Sequence, residues 1–115
     1  MNISGRLSDI TKLWENTSEA SSGTLSESFN NFYLLAYVIG KTDDGSYYDF
    51  ESYVIPTSIV DKVRTNTYRS GRTNVLFGGT WSDSWCRIRF TSNTSFTVPS
   101  HNYWNPVAIY GIGRK

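Results

Sequence analysis

Phe32-Tyr-Leu-Leu-Ala-Tyr-Val-Ile39 is apolar at every position, so both of its faces need cover. Read as a strand, it puts Phe32, Leu34, Ala36 and Val38 on one side and Tyr33, Leu35, Tyr37 and Ile39 on the other. A half-exposed strand alternates with polar residues, so this one is expected to be covered on both sides, by a second sheet and by another subunit. Eight apolar residues also suit a buried helix, but the aromatic and β-branched content and the flanking turns favour a strand.

Working outward, Asp44-Gly45 is a turn signal, and Tyr47-Tyr-Asp-Phe-Glu-Ser-Tyr-Val-Ile55 is expected to return antiparallel to the first run. Tyr48, Phe50 and Val54 then share one face; Tyr47, Asp49, Glu51 and Tyr53 share the other, taken as the outer one. Pro56 ends the strand. Ser84 to Phe90 alternates as well, with Cys86, Ile88 and Phe90 on one side and Trp85, Arg87 and Arg89 on the other. Shorter strand candidates are Lys12–Glu15, Thr24–Ser28, Asn74–Phe77 and Ser95–Val98, and the run from Tyr103 to Ile112 closes the chain. Ser58 to Val63 fits a helical turn and a strand equally well. Residues 1–11 read as a polar linker arm and residues 12–115 as one domain. Short strands with turn signals every ~8–12 residues suggest an antiparallel sandwich or barrel.

Composition narrows the function. Aromatic residues reach 16% while all apolar types together reach only 38%, a balance that suits a small all-β core and a surface meeting polar partners. A net charge of +1, with Lys and Arg scattered, gives no basic stripe for nucleic acid. The densest basic stretches, Lys62 to Arg72 and Gly113-Arg-Lys115, read as a solvated loop and a solvated tail. The single cysteine, Cys86, excludes an internal disulfide and a cysteine-built zinc site, and its place on an alternating strand makes it a small buried hydrophobe. No apolar run approaches the ~18 residues of a membrane span, and Met1-Asn-Ile-Ser-Gly-Arg lacks the basic-then-apolar order of a signal peptide.

Reactive constellations are sparse. Asp49 and Glu51 lie roughly 7 Å apart along one strand face, a separation glycoside hydrolysis could use, but catalytic carboxylates ordinarily converge from different strands. Asp43-Asp44-Gly45 lacks the spaced oxygen ligands of a calcium loop, and a hairpin needs the same residues. His101 is the only histidine, and no Gly-x-Ser-x-Gly elbow accompanies it. Gly78-Gly79 lacks the Lys-Ser/Thr of a phosphate loop. No enzyme, metal or cofactor is therefore expected. What stands out is a set of rings and amides in or beside loops: Tyr47, Trp81, Trp85, His101, Asn102 and Tyr103. A ring stacks on the apolar face of a sugar while neighbouring amides bond its hydroxyls, the usual composition of a small-ligand site. These six are the candidate contact residues.

One resemblance covers almost the whole chain from Leu13 onward. The order Leu13-Trp14, Ala20-Ser-Ser-Gly-Thr-Leu-Ser-Glu-Ser28, Asn31-Phe32-Tyr33, Tyr103-Trp104 and Ile109-Tyr-Gly-Ile112 resembles the C-terminal module of bacteriophage tail-fibre and related receptor-binding proteins. The resemblance implies a jelly-roll-like antiparallel β-sandwich, assembled as a homotrimer at a virion's fibre tip. Such a tip attaches the particle to a bacterial surface polysaccharide or outer-membrane protein, and its other partner is the rest of the tail fibre. Leu13, Trp14, Gly23, Tyr110 and Gly111 match the pattern best and are expected to be structural. The stretch from Lys62 to Arg72 and the terminal Gly113-Arg-Lys115 depart from it. Two alternatives stay open: a free-standing carbohydrate-binding module, and a structural domain that trimerises or caps a fibre without touching a receptor.

Overall fold

The computed structural model describes residues 9–16, 21–43, 46–60, 76–77 and 85–115. It is all-β and antiparallel. The strands are β1 (Ile10–Glu15), β2 (Ser22–Thr24), β3 (Phe32–Asp43), β4 (Ser46–Pro56), β5 (Leu76–Phe77), β6 (Trp85–Phe90), β7 (Ser95–Asn102) and β8 (Trp104–Arg114), with a 3₁₀ turn at Phe29–Asn31. They form two four-stranded sheets, ordered β1-β8-β3-β4 and β2-β7-β6-β5. One core serves both: Leu13, Leu35, Tyr37, Ile39 and Ile109 from the first sheet meet Cys86, Ile88, Phe90 and Phe96 from the second. Burying so many large side chains in a chain this short is the main force holding the sheets together.

β3 lies inside its sheet, between β8 and β4. Its Leu35, Tyr37 and Ile39 are fully buried, whereas Leu34 and Val38, on the opposite face, are half-buried. Phe32 departs from the expected alternation and joins the core. It still caps the 3₁₀ turn, its N–H bonding the Phe29 carbonyl, so the turn aims its ring. That ring occupies the space a Cβ on Gly111 would need. Where the two sheets meet, a Cβ on Gly23 would come within 2.5 Å of the Phe96 ring and 2.7 Å of Trp14 Nε1. Both glycines are there because backbone and ring approach too closely for a side chain.

Several expectations are corrected. The strand placed at Thr24–Ser28 is instead Ser22–Thr24; beyond it Leu25 drops into the core and the Ser28 hydroxyl accepts from Asn30 N–H at 3.1 Å, opening the 3₁₀ turn. A serine able to bond its own backbone competes with a ladder. β1 begins at Ile10, which pairs with Ile112, rather than at Lys12. The ambiguous stretch after Pro56 starts as a helical turn over residues 57–60, with Val60 buried and Thr57 Oγ1 donating to the Phe32 and Tyr33 carbonyls.

The terminal Gly113-Arg-Lys115 is no solvated tail. Arg114 belongs to β8 opposite Phe32, its guanidinium lying 4.6 Å over that ring and bonding Glu27 at 2.7 and 3.1 Å. The largest correction concerns β4. Tyr53 and Glu51, expected outside, lie on the core side, while Phe50 and Val54 face outward, 59% and 58% exposed. The register explains it. Tyr53 pairs with core-facing Tyr37, and Val54 pairs with outward-facing Ala36. Asp44-Gly45, Gly78-Gly79 and the run from Lys62 to Arg72 lie outside the described residues.

Candidate functional site

Strand register divides the molecule into two ends. At one, β1 begins and β8 finishes: Ile10 pairs with Ile112, and Phe32 with Arg114. Here Arg114 is ion-paired to Glu27 and Asp9, at 2.7 and 3.8 Å, and Asn31 also donates to Glu27 at 3.0 Å. These bonds, led by that from Arg114, hold the Glu27 carboxyl at about 2, well below its ordinary range.

At the other end β3 finishes, β4 begins, and β7 passes into β8. Lys41 pairs with Trp104, Thr42 with Tyr47, and Trp85 with Asn102. The chain crosses from one sheet to the other through a single residue, Tyr103, whose φ of 66° is the only positive value at a non-glycine position among the described residues. Left-handed backbone at this residue turns the chain from β7 into β8. Trp104 enters the core at 3% exposure, and Tyr103 stands out at 59%. Holding a tyrosine there costs about 1–2 kcal/mol, a strain characteristic of functional corners.

Five of the six candidate contact residues therefore gather at this end. Tyr47 and Trp85 are placed by backbone register; His101 is exposed, Asn102 half-buried and Tyr103 exposed. Trp81 lies outside the described residues. The structure adds neighbours that were not among the candidates. Arg87 and Ser100, both exposed, pair across β6 and β7 next to the Cys86–His101 pair. Their signal was present in the outward parity of Arg87. Beneath the exposed group, the Trp104 indole N–H is buried without a hydrogen-bond partner. Chemically the end offers one prominent ring at Tyr103, an imidazole on the Cys86 side of its sheet, and an amide, a guanidinium and a hydroxyl on the other side, groups suited to stacking and hydrogen bonding.

The carboxylates weighed for catalysis differ in their surroundings. Asp49 is exposed, while Glu51 accepts the Tyr53 hydroxyl at 2.7 Å. Burial, followed by that bond, pushes the Tyr53 phenol up to about 12. Among the described residues no three His, Cys, Asp or Glu side chains cluster as metal ligands would. Cys86 sits in the core, where burial raises its thiol to about 11 against the opposing effect of the Tyr37 hydroxyl 3.2 Å away. A thiol kept protonated is a poor nucleophile.

No protein-family model matches the chain, and no curated protein matches it.

Proposed function

We propose that this chain is the receptor-binding tip of a bacteriophage tail fibre, or of a phage-tail-like particle. It forms a jelly-roll-like β-sandwich that assembles as a homotrimer and attaches the particle to a bacterial surface glycan or outer-membrane protein without bond chemistry. The observation that carries this reading is the lengthwise polarity of the molecule. β1 enters at the end tied by Arg114 and Glu27, and the ring-bearing group around Tyr103 stands at the opposite end. A fibre attached through the N-terminal arm would hold that group outward, where a host surface is met. Among the described residues, two sheets of four strands match the strand count of a jelly roll, and a shared core supports the sandwich arrangement. Attachment would be multivalent: weak contacts at each tip are multiplied by effective concentration across subunits and fibres.

The test is adsorption. Purified chain binds the cells of a susceptible bacterium and competes with the parent particle; absence of both effects refutes the reading. A second reading, a free carbohydrate-binding module, is favoured by the exposed Tyr103 ring flanked by His101 and Asn102. Sedimentation separates the two. About 39 kDa, three copies of a 13.1 kDa chain, supports the fibre tip, and the mass of one chain supports the module.

A further inference from the structure

Side-chain carboxylates are divided unequally between the two sheets. Asp9, Glu15, Glu27, Asp43, Asp49 and Glu51 lie on strands of the β1-β8-β3-β4 sheet or on the segments leading into them. Among the described residues, the β2-β7-β6-β5 sheet and the hairpin between β6 and β7 carry none, whereas β6 carries two arginines. Strand parity puts both on one side. Cys86, Ile88 and Phe90 are fully buried, so Arg87 and Arg89 lie on the face turned away from the core, Arg87 exposed and Arg89 half-buried. The register gives each a hydroxyl neighbour. Arg87 pairs with Ser100, Arg89 pairs with Thr97, and Thr97 pairs in turn with Ser22 on β2. Ser22 and Ser100 are exposed, and Thr97 is half-buried. Towards the Tyr103 end the next pair of this parity is Trp85 with Asn102, both candidate contact residues.

We infer that this outward face of β6 and β7 binds a carboxylate-bearing polysaccharide. One arginine and its cross-strand hydroxyl hold each uronate, along a track that runs from Arg89 towards the Tyr103 end. The inference rests on the glycan-binding part of the proposed function and names the class of sugar. Charge sets the sign of the ligand: a face with guanidiniums and no described carboxylate attracts anions, and the opposite sheet, which holds the acids, does not. The guanidinium fork matches a carboxylate bidentately, and the adjacent hydroxyls are left to bond the sugar's own hydroxyls.

Spacing sets the charge of each bound group. Arg87 and Arg89 are two residues apart on one strand, roughly 7 Å by strand rise. Each therefore stands beside its own hydroxyl, Ser100 or Thr97, and serves its own single charge, as carboxylates spread along a polymer require. Two guanidiniums are too few to hold nucleic acid against physiological salt. The outward side chains described here are hydroxyls and guanidiniums, which give a protein partner no ring or aliphatic anchor at the centre of its footprint. A sugar polymer with acidic groups uses every one of them.

Magnetic-resonance titration of the whole isotope-labelled chain tests this. The probes are oligogalacturonate, alginate oligomers, the methyl ester of oligogalacturonate (same backbone, no charge) and inorganic phosphate. Wild type is expected to saturate with at least one uronate oligomer, shifting the amides of Arg87, Arg89, Thr97 and Ser100, and to bind the ester about tenfold more weakly or worse. Arg87→Gln should lose about fivefold or more in uronate affinity, and Arg87→Lys, which keeps the charge but not the fork, should lose less. Lys12→Gln, which removes the same charge from exposed β1, should bind as wild type does. Any of several results overturns the inference: no saturation by either uronate at about 10 mM, equal binding of the ester, tighter binding of phosphate, or shifts confined to other residues. A folded Arg87→Gln that binds undiminished does the same. Should that variant unfold, the wild-type shift map and the ester comparison decide. A chain that binds uronate on this face yet adsorbs to no bacterium refutes the tip reading alone; one that adsorbs and binds no uronate refutes this inference alone.

Discussion

Tyr53 stacks on Tyr37, ring centroids 6.1 Å apart and planes 28° from parallel, and this contact fixes which way β4 faces. Side chains alternate along a strand, so Glu51 and Ile55 follow Tyr53 inward while Phe50 and Val54 turn out. Tyr37 in turn donates its hydroxyl towards the carbonyl and sulfur of Cys86, at 3.3 and 3.2 Å, on the opposite sheet. A continuous line of contacts thus joins the margin of one sheet to the centre of the other, and it decides what the margin presents to solvent.

Removing the hydroxyl tests that line. Tyr37→Phe keeps the stacked ring and deletes the bonds to Cys86, so chemical denaturation should show a loss of about 1 kcal/mol. Assembly should be unchanged, because the hydroxyl is enclosed in the core. In the native wild type a thiol reagent at pH 8 should label Cys86 only as fast as the core opens. Immediate labelling would show that the sulfur is not enclosed.

Gly23 is tightly constrained. Gly23→Ala places a methyl group against Phe96 and Trp14, themselves packed edge to face at 4.9 Å. Both rings must move, and a cost of about 1–3 kcal/mol is expected. Thermal unfolding of the variant reads this directly, and a neutral effect would mean that the junction is looser than described.

Acid should weaken the end held by Arg114. Glu27 has a lowered carboxyl pKa in the folded chain, about 2 against an ordinary 4.5. Its contribution is therefore present above the ordinary value and lost as pH falls from there towards 2. Melting temperature should decline over that window in wild type, and less steeply in Glu27→Gln. Parallel curves for the two proteins would contradict the pairing.

Tyr103 separates stability from function. Tyr103→Gly relieves the left-handed backbone and removes an exposed ring. The melting temperature should stay level or rise while adsorption to cells falls at least tenfold. A destabilised variant with undiminished adsorption would reverse both expectations.

The regular parts of the fold are legible in the residues. A run apolar on both faces became the strand β3, its Leu35, Tyr37 and Ile39 face packed into the core between the sheets, and the Cys86, Ile88 and Phe90 face went inward as alternation requires. Gly23 and Gly111, expected to be structural, lie under rings. The facing of β4 was not legible, because rings occur on both of its sides and only the partner ring of Tyr37 breaks the tie. Nor did Arg114 declare itself: a basic residue near the end of a sequence looks solvated until Glu27 and Phe32 are placed beside it. At the candidate site the residue types could be read, and their gathering at one end could not. That follows from the turn at Tyr103, whose positive φ leaves no trace in a side chain.

The most direct measurement is competition for adsorption. Excess purified chain, wild type or Tyr103→Gly, is mixed with the parent particle and a susceptible bacterium, and unbound particles are counted. Wild type should block attachment and Tyr103→Gly should not. Attachment that proceeds undiminished with either protein present would contradict a receptor-binding role.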